Sequence, residues 1–315
     1  MFSNTIVGIG FVIFSLVIVY YMFPGLIFVL SLKIARLKGG LVKKSVVIKD
    51  HTITYLIGGT GEPLLLLHGF GADKDNWTLI ATHLRRRFKL IIPDLPGFGE
   101  SSFLNDRKYS AKDQVELLVA FIQELGVSKF HVGGNSMGGY LAAMLALRLG
   151  PAVKSAWLLA PAGVTTDENE KGVALIESGD NPLIINSAKE FERLINLCFE
   201  VPPLTPQPIK SFLYKKAKSR ADANRRLFSD LIGDKLPPEG NPLQLEQFIG
   251  ELETRILLVW GDKDRILHFD GLEVLSKKLE ECRKDFQSVL MSDMGHIPMV
   301  ERPKETAQDF LRFSN

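Results

Sequence analysis

The pentapeptide Gly134-Asn135-Ser136-Met137-Gly138 sets a serine between two glycines where the apolar run FHVGGN gives way to the helical pattern MGGYLAAMLAL. Glycine weakens the interior of strands and helices, so a cluster at this junction needs a reason. The spacing G-x-S-x-G provides one. It marks a strained strand-to-helix turn that lifts a serine hydroxyl to the end of a strand, with a helix N-terminus aimed at it. The chemistry is attack on a carbonyl carbon. A serine that does this needs a base, an acid to orient the base, and hydrogen-bond donors for the oxyanion that forms.

Each of those groups has a candidate at the end of another apolar run. His296, in DMGHIPMVERP, is the candidate base. Two aspartates in WGDKDR, Asp262 and Asp264, compete as the acid, and one of them must be an ordinary turn former. In either case the chain order is Ser, Asp, His. His68-Gly69-Phe70-Gly71 follows the run PLLLLH, where a glycine-rich loop can present a backbone N–H to an oxyanion. We assign the two donors to the backbone N–H groups of Phe70 and Met137. His68 is a rival base, but its place favours bonding the nearby loop backbone. His51, His83 and His131 fall on a hairpin, a helix and a strand, as packing or surface residues, and His268 lies close to Asp264.

No pair of histidines has metal-ligand spacing, and no phosphate-binding loop with its lysine is present. The GGTGEP near Gly58 precedes a strand, the wrong context for a dinucleotide fingerprint. Acyl transfer through this set of residues requires neither a metal nor an organic cofactor.

Positioning these residues takes a sheet. SVVIKD and HTITYLI read as an antiparallel hairpin, and PLLLLH, FKLIIP, FHVGGN, KSAWLLA, RILLVW and FQSVLM as buried strands, apolar on both faces. Helical patterns lie between them at 73–86, 110–125, 137–149, 270–281 and 303–313. Ser110 and Asp113 stand where an N-cap and a first-turn acid belong. The alternation predicts an α/β fold: eight strands, mostly parallel, with helices on both faces. It is interrupted from about Gly163 to Gly250 by a proline-punctuated helical stretch, expected to form a cap over one end of the sheet. The chain thus divides into an N-terminal segment (1–44), two parts of a core (45–162 and 251–315) and the cap (163–250).

Of the 315 residues, 46% are hydrophobic, and the excess sits in an uncharged run from Ile6 to Leu32. A bilayer crossing needs about 20 such residues. The run lacks the basic start, short apolar core and small-residue cleavage site of a signal peptide, so it is expected to be a retained transmembrane helix, kinked or divided at Pro24-Gly25. Lys33, Arg36, Lys38, Lys43 and Lys44 follow it and none precedes it. That asymmetry predicts the body on the cytoplasmic side, with the cations drawn to anionic headgroups. A net charge of +2 gives no footprint for nucleic acid. Cys198 and Cys282 are too few and too far apart for a disulfide framework, and each reads as a small buried hydrophobe.

Together LLLLHGFGADKDNW, LIIPDLPGFGESS, VGGNSMGGYLAAMLAL, WGDKDRI and MGHIPMVERP resemble, in order, the signature blocks of the α/β-hydrolase fold over roughly residues 45–315. Within it, HGFGADKDNW with GNSMGG is similar to cold-active bacterial lipases of the Psychrobacter and Moraxella type. It is similar also to the membrane-anchored monoacylglycerol lipases of animals, which carry an N-terminal span and a basic segment. The resemblance is weak in the cap. It implies Ser136 as nucleophile, His296 as base and Asp264, rather than Asp262, as acid, with the Phe70 and Met137 amides at the oxyanion positions. Serine rather than aspartate at the elbow departs from the related epoxide hydrolases and dehalogenases and implies acyl transfer. The expected substrate is a lipid ester, monoacylglycerols or related acyl lipids, with Phe191, Leu194, Phe199, Phe212, Leu227 and Phe228 of the cap as candidate acyl-chain contacts. The rival readings are a C–C hydrolase of ring-cleavage products and a non-catalytic binding protein on the same fold.

Overall fold

The computed structural model describes residues 20–232 and 243–314. Its eight strands are β1 (Leu41–Ile48), β2 (His51–Gly59), β3 (Glu62–Leu67), β4 (Phe88–Pro93), β5 (Phe130–Asn135), β6 (Val153–Leu159), β7 (Arg255–Gly261) and β8 (Phe286–Met291). They form one sheet in the order β1-β2-β4-β3-β5-β6-β7-β8. β2 is antiparallel to β1 and to β4, and every other neighbouring pair is parallel. The helices are α1 (Pro24–Lys38), α2 (Thr78–Leu84), α3 (Ala111–Glu124), α4 (Met137–Leu149), α5 (Asp167–Glu177), α6 (Ala188–Cys198), α7 (Gln207–Ser219), α8 (Ala221–Ile232), α9 (Leu245–Phe248), α10 (Asp270–Glu281), α11 (Pro298–Glu301) and α12 (Pro303–Phe313).

Apolar residues on both faces of the central strands bury two layers of core. One layer joins β3 and β5 to α3, α4 and α10 through Leu65, Leu67, Val132, Phe121, Leu141 and Leu275. The other sets Trp77, Trp157, Phe88, Phe310 and Phe313 beneath α2 and α12, with the Trp157 and Phe310 rings stacked at 4.6 Å. Local signals fix the ends of elements. Ser110 and Asp113 close a reciprocal capping box on α3, and Ser187 and Glu190 close another on α6.

Three expectations change. FQSVLM is not a buried strand: β8 is the sheet's edge, and of its residues only Met291 is buried. An edge strand has one neighbour, so one side stays open to water. Cys282 is exposed at the C-cap of α10 while Cys198 is buried. The helical pattern expected over 73–86 is a 3-10 turn at Lys74–Trp77 followed by the shorter α2.

The expected span from Ile6 falls mostly on residues 1–19, outside the described residues. Among the described residues no helix is long and apolar enough to cross a membrane. The chain leaves helical geometry at Phe23, and α1 restarts with Pro24 at its first position, where the missing N–H costs no bond. α1 then continues past Leu32 to Lys38 because the body holds it. Phe28 meets Phe212 of α7 at 5.8 Å, and Arg36 pairs with Asp75. Of the five cations expected to face headgroups, Arg36 points into the body and Lys43 pairs with Glu100. Leu26, Val29, Leu30, Ile34 and Leu37 remain exposed along the other side of the helix.

Candidate active site

β5 and α4 meet at Ser136, whose backbone sits at φ 57°, ψ −122°. A residue with a Cβ rarely adopts this conformation, and it persists only where surroundings over-determine it. Here they do so by backbone contact. A Cβ on Gly134 would collide with the carbonyl of Gly138, and one on Gly138 would collide with the carbonyls of Leu67 and His68. β3, β5 and the first turn of α4 therefore approach to distances only glycine permits. Ser136 N–H donates to Leu159 O at 3.0 Å, and Ser136 O accepts from Ala162 N–H at 3.0 Å. From Phe130 to Ala143 every residue is buried except Ser136, which is partly open. Met137 is the first residue of α4, where a backbone N–H has no partner inside the helix.

Asp264 and His296 come together at the ends of β7 and β8. The Asp264 Oδ2 lies 2.6 Å from His296 Nδ1, and its Oδ1 accepts from the N–H groups of Ile266 and Leu267 at 2.8 and 2.9 Å. Both side chains are buried. Asp262 instead accepts from Met294 N–H and pairs with Lys263, so it shapes the turn and does not reach the imidazole. His268 faces Asp270.

Asn135 joins the two halves. Its Nδ2 donates to His296 O at 2.9 Å and to Leu159 O at 3.1 Å, so the residue before Ser136 holds the loop that carries His296. Glu301 adds a second brace: its carboxylate accepts from Gly295, Glu200 and Val201 N–H. Sequence reasoning passed over both. A buried asparagine inside an apolar strand was the available signal for Asn135, whereas nothing local distinguishes Glu301.

The loop bearing Phe70 is braced from below. His68 Nδ1 donates to Gly69 O at 2.8 Å, which leaves Nε2 to accept from Leu95 N–H at 3.0 Å. Burial drives the His68 pKa down, and the neutral ring is a fixed part of the loop. The Phe70 ring stands edge-on to Phe98 and to Phe228 of α8, each at 5.4 Å. The other proposed acyl contacts disperse. Leu227 belongs to the core, Phe212 faces α1, and Phe191 packs against Tyr214 within the helical stretch. The Cys198 carbonyl accepts from His296 N–H at 2.8 Å. Burial, then the Asp264 charge, push its thiol up to about 12, so it stays protonated.

Residues 62–303 match the α/β hydrolase fold family. The chain belongs to the α/β-hydrolase family. Lipase 3 of Moraxella sp. (strain TA144) is 35% identical over 255 residues, covering 81% of this chain and 78% of that one. Monoacylglycerol lipase abhd6-B of Xenopus laevis is 30% identical over 265 residues, covering 80% and 76%. A solved membrane phospholipase A, described as a bacterial virulence factor, superposes with a TM-score of 0.86 at 35% identity, covering 99% and 98%. This α/β hydrolase is lipase-like, a carboxylic ester hydrolase.

Proposed function

We propose that this hydrolase is a membrane-anchored serine lipase that cleaves monoacylglycerols or related acyl lipids through Ser136, His296 and Asp264. The observation that carries the reading is the 2.6 Å Asp264–His296 bond, tied by Asn135 to the strained turn at Ser136. Neutral His296 takes the Ser136 proton as the oxygen attacks the ester carbonyl, and Asp264 orients the ring and stabilises the imidazolium. The Phe70 and Met137 N–H groups hold the oxyanion. Losing one such donor typically costs about 100- to 1,000-fold in turnover. His296 next protonates the leaving alcohol, and water, activated by the same ring, releases the acid from the acyl-enzyme.

A lipid substrate is supported by the names of the relatives and by the aromatic contacts of the Phe70 ring with Phe98 and with Phe228 of α8, a helix of the stretch we read as a cap. The membrane reading rests on the apolar run from Ile6, the exposed stripe on α1 and the Lys and Arg residues that follow the run. The body is then cytoplasmic.

Turnover of p-nitrophenyl esters from C2 to C16, monoacylglycerols, a diacyl phospholipid and a ring-cleavage dienoate, by wild type beside Ser136→Ala, tests this. Ser136-dependent turnover of monoacylglycerols and longer esters is expected. Turnover of the dienoate alone would assign the chain to the C–C hydrolases, and none at all would leave a binding protein.

A further inference from the structure

Three consecutive charged residues follow the Phe70 loop, and each bonds a different part of the molecule. Asp73 pairs with Lys216 of α7 at 3.1 Å. Lys74 is enclosed beneath the loop, its backbone N–H and Nζ donating to Asp94 at 2.7 and 2.9 Å and its Nζ to Glu100 at 2.8 Å. Burial alone would lower the Lys74 pKa, but the Asp94 charge and the bonds to Glu100 and Asp94 outweigh it and hold the amine charged. Asp75 receives a two-pronged bond from Arg36 of α1, Nε to Oδ1 at 2.7 Å and Nη2 to Oδ2 at 2.6 Å. Arg36 Nη2 also lies 3.8 Å from Glu100. The Arg36 and Asp75 side chains are only 15% and 8% exposed.

An exposed pair of long side chains would signify little. This one is a planar fork in a largely dry setting, where geometry is fixed and loss of one partner strands the other. It joins the helix that continues the apolar N-terminal run to a residue five positions beyond Phe70.

We propose that Arg36 is a positioning residue for the oxyanion hole: through Asp75 and the Lys74–Asp94–Glu100 cluster, the seating of α1 sets where the Phe70 N–H points. The proposal rests on the assignment of Phe70 as an oxyanion donor. Its consequence is that displacement of α1, by a change in how the N-terminal segment meets a lipid surface, alters turnover without touching Ser136, His296 or Asp264.

The test uses the full chain in detergent micelles with p-nitrophenyl butyrate, a short ester that makes little demand on the cap. Wild type, Ser136→Ala, Arg36→Ala, Arg36→Lys, Asp75→Ala and the Arg36→Ala/Asp75→Ala double variant are compared below their melting temperatures. Displacing a donor should cost less than deleting one, so kcat should fall about tenfold in Arg36→Ala with KM within twofold. An alkyl boronate, whose oxygen occupies the oxyanion position, should bind correspondingly weaker. Arg36→Lys keeps the charge but loses the fork, and should fold and recover only part of kcat. The double variant should be no slower than the slower single one.

Wild-type kcat and boronate affinity in folded Arg36→Ala, or in folded Arg36→Lys if Arg36→Ala does not fold, overturns the proposal and leaves the functional reading intact. Additive losses in the double variant do the same. Absence of Ser136-dependent turnover in the wild type overturns both.

Discussion

The turn at Ser136 and the loop at Phe70 lie beside each other and are held by opposite means. A Cβ on Gly69 would lie 3.3 Å from that of Ser136, so the two segments are in contact. At the turn, backbone meets backbone through missing side chains, and the surrounding residues are buried and mostly apolar. At the loop, the positions are fixed by charged side chains reaching from α1, α7 and the segment after β4. Backbone packing has one solution and tolerates no adjustment. An ion-pair frame has directional bonds that can be broken one at a time. The proposed attacking atom therefore sits on the stiffer part, and the proposed oxyanion donor on the part through which the rest of the chain can act.

The sharpest break of this contrast is at the turn. Gly138→Ala drives a methyl into the carbonyls of Leu67 and His68, with no flexible side chain to yield. A loss above ~4 kcal/mol is expected, seen as a lowered urea midpoint or as insoluble protein. Asp264→Asn leaves the fold in place but gives His296 the wrong partner. On the proposed mechanism kcat should fall about 10,000-fold, measured with p-nitrophenyl butyrate, with little change in melting temperature.

At the loop, Asp94→Asn leaves Lys74 buried beside a weaker partner and should destabilise by about 3 kcal/mol in urea titration. Replacing both residues, Lys74→Met with Asp94→Asn, should cost much less, because the buried ammonium goes with the carboxylate while the amide oxygen can still accept a backbone N–H in place of Asp94. An equal loss in the double variant would mean that the loop, like the turn, is held by packing. The smallest effect is in pH. Burial would raise the Glu100 pKa, but hydrogen bonds from Lys43 and Lys74 and their charges bring it down to about 2. A carboxylate depressed in the folded state contributes stability that is present above its unfolded value, near 4.3, and is lost as pH falls through 2. A melting series from pH 5 to pH 2 should show that decline, and Glu100→Gln should flatten it.

The same contrast explains what could be read from the residues alone. The turn at Ser136 was legible because its glycines and serine are adjacent in sequence and their spacing has one structural use. Caps were legible for the same reason, as Ser110 with Asp113 shows. The hairpin and the strands were legible from apolar runs, but insertion of β4 between β2 and β3 depends on contacts between distant segments. The exposed side of β8 was missed because an apolar pattern does not record whether a strand has a second neighbour. The ion-pair frame was not legible at all. Arg36 and Asp75 are 39 residues apart, and Asp73 and Lys216 are 143 apart. In sequence, Arg36 reads as one of several cations beside an apolar run, and only the fold turns it inward.

The central claim is that Ser136 is the nucleophile. Its most direct test is labelling with a fluorophosphonate followed by intact-mass and peptide mass spectrometry of wild type and Ser136→Ala. A single adduct is expected on the peptide containing Ser136, formed in step with loss of ester turnover and absent from the variant. An adduct on another residue that tracks the loss of turnover, or undiminished turnover by Ser136→Ala, would contradict it.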